Sequence, residues 1–439
     1  MIEMMRRGMF MMIRMVTMRD FLKSTFLAGG VAFIVGTADG QIPATELPAA
    51  IAEAKPGDVI VVRDGIYPNH NLSLSGAGTA EAPIIIRAET PGGVIFSGQS
   101  ALRLRTDFAI VSGFHFKEGA SPEKYVIEVD GKHCRLTEVV IESYNPKDSK
   151  KEDKWVSLKG TNHRVDASSF MNKTSRSVTL IVWRQKGGAE SHVIAGNLFL
   201  GRPKGASGNG FETIRIGTSD ESESDSGTVI EGNLFESCDG EMEALSIKAG
   251  KVTIRGNTLI KCAGTITLRH GDGSLVEKNL IAGKNKKETG GIRIYGKNHV
   301  IRGNAIIGTT RRSGGAITLM SGTKNPKLNG YQTARSISIE ANLLAANEGP
   351  CFKFDGEMGK GKDRTEAPTS ISAQGNFLSG DKAEGLLEGA EKLGAGDLIW
   401  AASNELFVKN RIPKEVTRTI PPPLNCSMVG SKWFRKRMQ

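Results

Sequence analysis

Two glutamates, a lysine and an arginine lie close together in the middle of the chain. Glu241 and Glu243 are separated by one residue, Lys248 follows them, and Arg269 lies 21 residues after the lysine. Acids at positions i and i+2 of an extended segment point to the same side. Such a pair either holds a hard cation through its oxygens or exchanges protons with a bound molecule. The spacing alone leaves a third interpretation open, in which exposed acids form ion pairs with Lys248 and Arg269.

Four cations are predicted to share one outer face. Apolar and polar residues alternate in four short segments, 213–216, 245–248, 265–269 and 291–295. If each segment is a strand with its apolar side chains inward, the outward cations are Arg215, Lys248, Arg269 and Arg293. Stacked strands lie ~4.8 Å apart, so this column needs an anion or a counter-charge; scattered surface cations are the alternative. Ala244 and Leu245 cannot both face inward on a straight strand, which predicts a bend there.

Three further residues are candidates for the same site. Asn209 lies shortly before segment 213–216 and could add an amide oxygen to a cation held by the two glutamates. His270 directly follows segment 265–269. Alternation points its ring away from Arg269, so a structural histidine is the competing interpretation. Tyr295 faces outward at the end of segment 291–295.

A recurring asparagine indicates how these segments are arranged. Asparagine followed by two or three apolar residues, usually preceded by glycine, recurs at Asn197, Asn233, Asn257, Asn279, Asn304, Asn342 and Asn376. The three shortest intervals are 24, 22 and 25 residues, and longer ones contain insertions such as the polar run 218–227. This period, made of short alternating strands, is typical of a solenoid. We predict that each asparagine tolerates left-handed backbone in a tight turn and bonds its equivalent in the next coil.

The strands are not separated by long amphipathic helices, which excludes a βαβ sheet and predicts an all-β fold, a right-handed parallel β-helix. Residues 45–54 read as a short capping helix with Thr45 as N-cap, which would plug the N-terminal end. The predicted organisation is a leader at 1–38, a β-helix domain at 39–380, and a C-terminal capping segment and tail at 381–439. Cys238 and Cys262 each lie five residues after a repeat asparagine, so they should stack as buried thiols or form a disulfide.

The leader has the pattern of a signal peptide. Arg19 and Lys23 precede the apolar run 26–35 and the small residues 36–38, with Met18 as the expected start. The run is too short for a transmembrane helix, and no later segment is apolar enough to span a membrane. We therefore expect a secreted or periplasmic protein, with a buried N-terminal helix as the alternative. The net charge of +11 favours polyanionic partners.

Three stretches together resemble one known family. They are residues 209–217 (NGFETIRIG), the pattern Glu241-x-Glu-x-x-x-x-Lys248, and residues 268–272 (LRHGD). Their order and the 21-residue step from lysine to arginine are similar to the core of the polysaccharide lyase family that contains alginate lyases and chondroitinase B. The resemblance covers the chain from about residue 42 to about residue 433. The combination is specific, although each stretch alone is weak.

The resemblance implies a calcium-dependent lyase that cleaves a uronate-containing polysaccharide by β-elimination. Lys248 would remove the C5 proton as general base, Arg269 would stabilise or protonate the departing oxygen, and His270 would assist. Calcium would neutralise the uronate carboxylate, and the residues implied to hold it are Asn209, Glu241 and Glu243. The residues implied to bind neighbouring sugars are Arg215, Arg293 and Tyr295.

The substrate and two other classes of function remain open in the sequence. Alginate is the first choice of substrate, and a sulfated galactosaminoglycan (chondroitin or dermatan sulfate) is the second. A non-catalytic glycan-binding β-helix would not need Lys248 and Arg269 beside two glutamates. A hydrolase of the polygalacturonase type would need aspartates clustered on one face, whereas the aspartates here fall mostly in turns. The expected partner is an anionic polysaccharide and not nucleic acid.

Overall fold

The chain folds into a solenoid of three long sheets. A computed structural model describes residues 40–310, 312–380, 386–408 and 420–438, together with the strand Ile34–Val35. Strands of neighbouring coils pair in parallel, in sheets of 14, 13 and 12 strands. The predicted right-handed parallel β-helix is confirmed. Among the described residues, no helix combines the length and the apolar character needed to cross a membrane.

We name the three sheets A, B and C. Sheet A consists of Ile34–Val35, Val59–Val62, Ile84–Ala88, Ala109–Ser112, Arg135–Thr137, Arg164–Asp166, Val193–Ala195, Val229–Glu231, Thr253–Arg255, Leu275–Glu277, Val300–Arg302, Arg335–Glu340, Thr369–Gln374 and Leu398–Trp400. Sheet B consists of Gly65–Pro68, Val94–Gly98, Phe114–Gly119, Val140–Glu142, Ser169–Met171, Leu198–Arg202, Leu234–Cys238, Thr258–Ile260, Leu280–Ala282, Ala305–Ile307, Leu343–Ala345, Phe377–Gly380 and Glu405–Val408. Sheet C consists of Asn71–Ala77, Ala101–Asp107, Tyr125–Lys132, Lys154–Thr161, Leu180–Val182, Ile214–Ile216, Glu243–Lys248, Thr265–His270, Ile292–Ile294, Ile317–Met320, Phe352–Gly356 and Leu387–Glu388.

Buried aliphatic side chains stack from coil to coil because the strands stay in register. On sheet A, Ile230 lies opposite Ile254, which lies opposite Val276, and all three side chains are fully buried. Each added coil therefore extends the same apolar column and buries more apolar surface. Cys238 and Cys262 are buried free thiols of adjacent coils, which agrees with the thiol alternative.

The repeat asparagines form a buried ladder at the corner between sheets A and B. Nδ2 of Asn233 donates to Oδ1 of Asn257 over 2.9 Å, and the backbone N–H of Asn233 donates to the same oxygen over 3.0 Å. Nδ2 also donates to the carbonyl of Ile194, one coil back. The pattern repeats along this asparagine ladder, whose members are Asn197, Asn233, Asn257, Asn279, Asn304, Asn342, Asn376 and Asn404. The predicted bonding between coils is confirmed, and Asn404 is a member that the repeat analysis missed.

In the turns from Asn197 to Asn376, the left-handed residue is the one before the asparagine. Gly256 and Gly303 have φ of 60° and 61°. Lys278 and Ala341 adopt the same conformation, with φ of 53° and 51°, where the repeat lacks its glycine. No ladder asparagine of the described chain has positive φ, so the prediction of left-handed asparagines is wrong. The physical reason is that the preceding residue makes the turn. The backbone N–H and the side-chain amide of the asparagine are then both free to bond in the ladder.

The N-terminal end is covered by a helix, as predicted, although its start differs. Helix α1 is Leu47–Glu53, and it follows a 3-10 turn at Ala44–Glu46. Thr45 therefore lies within the turn, and neither segment has a side-chain hydrogen bond at its N-cap. Leu47 and Ile51 are fully buried and belong to the main core. Residues 1–33 and 36–38 of the predicted leader lie outside the described residues.

The solenoid continues beyond residue 380, where the repeat analysis placed its end. Sheets A and B extend to Leu398–Trp400 and Glu405–Val408. The tail then returns along sheet B, where helix α2 spans Lys432–Met438. Nε1 of Trp433 donates to the carbonyl of Glu138 over 2.9 Å. The predicted capping segment thus contains further strands and a tail that packs on the side of the solenoid.

Candidate active site

A cavity on the outer face of sheet C gathers most of the predicted site residues. Its volume is about 390 Å³, and its lining includes Asn209, Glu241, Glu243, Lys248, Arg269, Arg293, Tyr331, Glu357, Lys360 and Arg364. The three candidate metal ligands, the candidate base and the candidate leaving-group residue therefore face one space. The other predicted site residues, Arg215, His270 and Tyr295, are not part of this lining in the described chain.

The strand Glu243–Lys248 begins with a bulge. Its register against Thr265–His270 shifts between Glu243 and Leu245, which makes Ala244 the extra residue. Ala244 and Leu245 are both buried, so strict alternation resumes only after the bulge. The bend predicted at this position is confirmed. It lets Glu243 face the cavity while the next apolar residues face the core.

A second bulge brings Lys248 close to Arg269 and His270. Lys248 pairs with His270, and Arg269 is the extra residue of its strand. Nε2 of His270 lies 2.8 Å from Nη1 of Arg269 and 3.0 Å from the carbonyl oxygen of Gly330. Alternation had predicted the opposite side for this ring, and the bulge explains the difference. Burial, followed by the charge of Arg269, lowers the pKa of His270 to about 4, so the ring is neutral near pH 7.

The predicted cationic column is only partly formed. Arg215 and Arg293 lie in one row of sheet C, with two uncharged residues between them. Lys248 lies two positions further along its strand, outside this row. Arg215 also has its own counter-charge, because its Nη1 lies 3.4 Å from a carboxylate oxygen of Glu212. The cations are therefore divided into smaller groups, each beside an acid or an aromatic ring.

Two tyrosines hold the guanidinium of Arg269. Its central carbon lies 4.9 Å from the ring centre of Tyr295 and 4.5 Å from that of Tyr331. Nη1 donates to the carbonyl oxygen of Gly330 over 2.9 Å. Burial lowers the pKa of Arg269. The amino group of Lys248 is not held in this way. Lys248 lines the cavity, but its amino group has no ion pair or hydrogen bond with the described residues.

Glu357 connects the arginines on one side of the cavity. Nη2 of Arg293 donates to the hydroxyl of Tyr295 over 2.5 Å, and this hydroxyl donates to Glu357 over 3.2 Å. Arg364 forms an ion pair with the same carboxylate. Tyr295 is fully buried, so its position supports the arginines from beneath and does not present a ring face to a sugar.

Three carboxylates lie near one another on the side of Asn209. Glu241 is buried, and its Oε2 accepts the backbone N–H of Phe211 over 2.9 Å. Burial, followed by the charge of Glu212, raises the pKa of Glu241 to about 8. Oε2 of Glu212 is buried and has no hydrogen-bond partner in the described part of the chain. Repelling carboxylates with an unpaired oxygen fit a hard cation.

This donor set does not form a complete cage. Among the described residues, no three His, Cys, Asp or Glu side chains have the arrangement of a metal site. A calcium ion held by Glu241 and Glu243 would therefore take further oxygens from Asn209 and from a bound molecule. Sequence reasoning missed Glu212, although it lies three residues after Asn209, because it stands just before segment 213–216, where the alternation was applied.

Three insertions of the repeat enclose the cavity. Residues 203–213 carry Asn209 and Glu212, residues 321–334 carry Tyr331, and residues 356–366 carry Glu357 and Arg364. They occupy the ladder intervals of 36, 38 and 34 residues. Tyr331, Glu357 and Arg364 were missed because insertions do not follow the repeat and have no predictable register. The long intervals were the available signal.

Comparison with known proteins places the chain among polysaccharide lyases. The family model for chondroitinase B matches residues 42–384. The solved structure of the alginate lyase AlyGC is 32% identical, covers 88% of this chain and 57% of its own chain, and has a TM-score of 0.79. An alginate lyase solved with a trisaccharide is 26% identical, covers 85% of this chain and 82% of its own, and has a TM-score of 0.69.

A third structure supports the fold alone. It is a mannuronic-acid-specific family 6 lyase from human gut microbiota, with 24% identity, coverage of 90% of this chain and 97% of its own, and a TM-score of 0.77. The chain spans 57% of the length of AlyGC, so AlyGC has substantial sequence beyond the shared solenoid. No curated protein sequence matches the chain.

Proposed function

The chain belongs to the chondroitinase B family, and we propose that it is a lyase that cleaves an acidic, uronate-containing polysaccharide by β-elimination. Alginate is the first choice of substrate, because the alginate lyase AlyGC shares 32% identity with this chain. The observation that carries the proposal is a single cavity lined by an arginine, two glutamates and a lysine that has no polar partner among the described residues. Chondroitin and dermatan sulfate are the second choice, because the matching family model is that of chondroitinase B.

Elimination needs a base at C5 and a group that stabilises the oxygen leaving C4. In the proposed reaction, Lys248 takes the C5 proton, and the electron pair of that C–H bond forms the C4–C5 double bond as the C4–O4 bond breaks. Arg269 stabilises the negative charge on O4, and a water molecule bound beside the guanidinium delivers the proton to it. His270, neutral near pH 7, contributes by holding Arg269 in place.

We propose that Asn209, Glu241 and Glu243 hold calcium, with Glu212 beside them. The support is chemical: buried carboxylates repel one another, and one oxygen of Glu212 lacks a partner among the described residues. When bound, calcium would neutralise the uronate carboxylate and so make the adjacent C5 proton more acidic. The same residues without calcium would repel the carboxylate of the substrate.

Of the three residues predicted to bind neighbouring sugars, we propose that Arg293 makes the main contact. Its guanidinium lines the cavity and can pair with the carboxylate of a neighbouring uronate. Arg215 and Tyr295 do not belong to the cavity lining in the described chain: Arg215 pairs with Glu212, and Tyr295 is buried beside Arg293. We therefore propose that these two residues affect sugars through the groups they hold.

The decisive experiment offers the purified protein alginate, polymannuronate, polyguluronate, chondroitin sulfate and dermatan sulfate. Absorbance of the new C4–C5 double bond reports elimination, while a reducing-end assay without this absorbance would indicate a hydrolase. Binding without any bond cleavage would indicate a glycan-binding module. We expect double-bond formation with alginate, and a rate lower by about 10³-fold with the variant Lys248→Ala.

Removal of calcium tests the metal part separately. We expect a chelator to abolish elimination and calcium to restore it, with little recovery in Glu241→Gln or Glu243→Gln. Unchanged activity after exhaustive chelation would contradict calcium assistance but not the roles of Lys248 and Arg269.

Secretion is a further part of the proposal, because residues 19–38 have the pattern of a signal peptide. N-terminal sequencing of the exported protein tests it.

A further inference from the structure

The ring of Tyr331 lies against two guanidinium groups. The central carbon of Arg364 is 3.4 Å from the ring centre, and that of Arg269 is 4.5 Å away. Two like charges near one aromatic ring are stabilised by the negative potential of its faces. Tyr331 therefore reduces the cost of placing a second guanidinium close to the one that acts on the leaving oxygen.

The insertion that carries Tyr331 is attached to its neighbours at two points. The hydroxyl of Ser222 donates to the carbonyl oxygen of Leu328 over 3.1 Å, just before the tyrosine. Gly322 and Glu366 exchange two backbone hydrogen bonds of 3.0 Å, which join this insertion to the next one. These hydrogen bonds anchor the segment that carries Tyr331 over sheet C, although this segment lies outside the regular coils.

The contacts of Arg269 leave part of its guanidinium for the substrate. Nη1 donates to the carbonyl oxygen of Gly330 and lies beside His270, while the ring centres of Tyr295 and Tyr331 lie 4.9 Å and 4.5 Å from the central carbon. An arginine has five N–H donors, so the remaining donors can point into the cavity that Arg269 lines. A guanidinium that is fixed in this way needs no reorganisation when charge develops on the leaving oxygen.

We infer that Tyr331 is a positioning residue, whose aromatic ring fixes the guanidinium of Arg269 at the leaving oxygen; this inference rests on the proposed lyase function. Its hydroxyl group has no hydrogen-bond partner among the described residues, whereas its ring has two cationic neighbours. The ring, and not the hydroxyl, therefore carries the effect. Tyr331→Phe and Tyr331→Leu separate the two.

The kinetic test measures kcat and KM for both variants on the substrate that the wild-type protein cleaves. We expect Tyr331→Phe to stay within about twofold of wild type. Tyr331→Leu should lower kcat by about 10- to 100-fold with KM changed less than about threefold, because misplacement of a catalytic group acts on the transition state. Equal losses in both variants, or full activity of Tyr331→Leu, would overturn the inference.

A matched control and a second readout keep the test independent of activity. Tyr125→Leu removes a similar contact, the ring 4.9 Å from the guanidinium carbon of Arg103, on the same sheet but outside the cavity. It should leave kcat unchanged. In nuclear magnetic resonance spectra, the Nε–H signal of Arg269, assigned with Arg269→Lys, should keep its wild-type position in Tyr331→Phe and move in Tyr331→Leu, where only the ring of Tyr295 remains beside the guanidinium.

The two readouts also distinguish failure of this inference from failure of the proposed function. If the wild-type protein cleaves no uronate polymer, the proposed function fails, and the displaced Arg269 signal still decides whether Tyr331 fixes the guanidinium. If Lys248→Ala is inactive but Tyr331→Leu is as active as wild type, the lyase stands and the positioning role does not. Tyr331→Gln serves as a second ring-removing variant if the leucine variant folds poorly.

Discussion

The asparagine ladder and the cavity on sheet C are built from the same coils, yet they follow opposite rules. Every step of the ladder repeats one side-chain bond of 2.9–3.0 Å between buried amides. In the cavity, two bulges interrupt one strand pair, three insertions supply the walls, and Lys248 has no polar partner among the described residues.

The difference shows where this fold places stability and where it places reactivity. Identical amides that satisfy one another can be repeated indefinitely because every polar group is paired in the interior. A reactive site needs the reverse, namely groups whose pairing is left incomplete until a ligand arrives. We therefore expect substitutions in the ladder to lower the free energy of unfolding with little effect on kcat. Substitutions in the cavity should lower kcat with little effect on the free energy of unfolding.

The largest expected effect is the loss of catalysis in Lys248→Ala. Removal of the general base should lower kcat by about 10³-fold. The free energy of unfolding should change by less than about 0.5 kcal/mol, because the amino group has no polar partner in the described part of the chain. Double-bond absorbance and urea unfolding measure the two quantities. Lys251→Ala, which removes an exposed lysine paired with Asp225, is the control and should affect neither. A large loss of stability in Lys248→Ala would contradict the separate roles of the ladder in stability and of the cavity in catalysis.

The next effect is expected in the middle of the ladder. Asn257→Ala removes the acceptor for two N–H groups of Asn233 and the donor to the carbonyl of Ile230. Leaving these buried groups unpaired should cost about 3 kcal/mol in the free energy of unfolding. The folded fraction should keep the kcat of wild type. Asn71→Ala, which removes an exposed asparagine bonded to Glu123, is the control and should cost well under 1 kcal/mol.

The same contrast explains what the sequence could and could not predict. The ladder and the inward strand faces were predictable because their spacing repeats, so each asparagine supports the assignment of the others. Glu241, Glu243, Lys248 and Arg269 were found because they lie on or beside such strands. Tyr331 and Glu357 were missed because they lie in insertions, whose conformation depends on contacts with distant segments. His270 was assigned to the wrong side because a bulge shifts alternation by one residue, and bulges depend on pairing with the neighbouring strand.

A row of histidines at the corner between sheets C and A shows a titratable alternative to the amide ladder. The backbone N–H of His163 donates to Nδ1 of His192 over 3.0 Å, which requires this nitrogen to be unprotonated. Burial, followed by the charge of His163, lowers the pKa of His192 to about 3, and burial lowers that of His163 to about 4. The unfolded histidines titrate near 6.5, so below that pH the unfolded state binds more protons. Stability should therefore fall as the pH falls from about 6.5 towards 4.

The variant His192→Asn isolates this contribution, because asparagine offers an acceptor oxygen that does not titrate. Between pH 7 and pH 5, wild type should lose about 2 kcal/mol more of its free energy of unfolding than the variant does. Urea unfolding at both pH values measures the difference. His133→Asn, at an exposed position, should lose as much as wild type. Parallel losses in wild type and His192→Asn would show that folding does not lower the pKa of His192.

The smallest expected effect lies inside the ladder itself, at the turn residue before each asparagine. Ala341 has φ of 51°, a left-handed conformation that strains any residue with a β-carbon, whereas Gly256 holds the equivalent place with φ of 60°. Ala341→Gly should therefore stabilise the fold by about 0.5–1 kcal/mol, after allowance for the greater freedom of glycine in the unfolded chain. Gly256→Ala is the reverse test.

A β-carbon at position 256 would meet no atom within 4 Å, so Gly256→Ala isolates the backbone conformation from crowding. It should destabilise the fold by about the amount that Ala341→Gly gains, and neither change should alter kcat. Urea unfolding of both variants, measured against wild type, gives the two values. If both were neutral, the left-handed turn would not limit stability, and the glycine of the repeat would need another explanation. If either altered kcat, the ladder and the cavity would be coupled, and their separate roles would have to be given up.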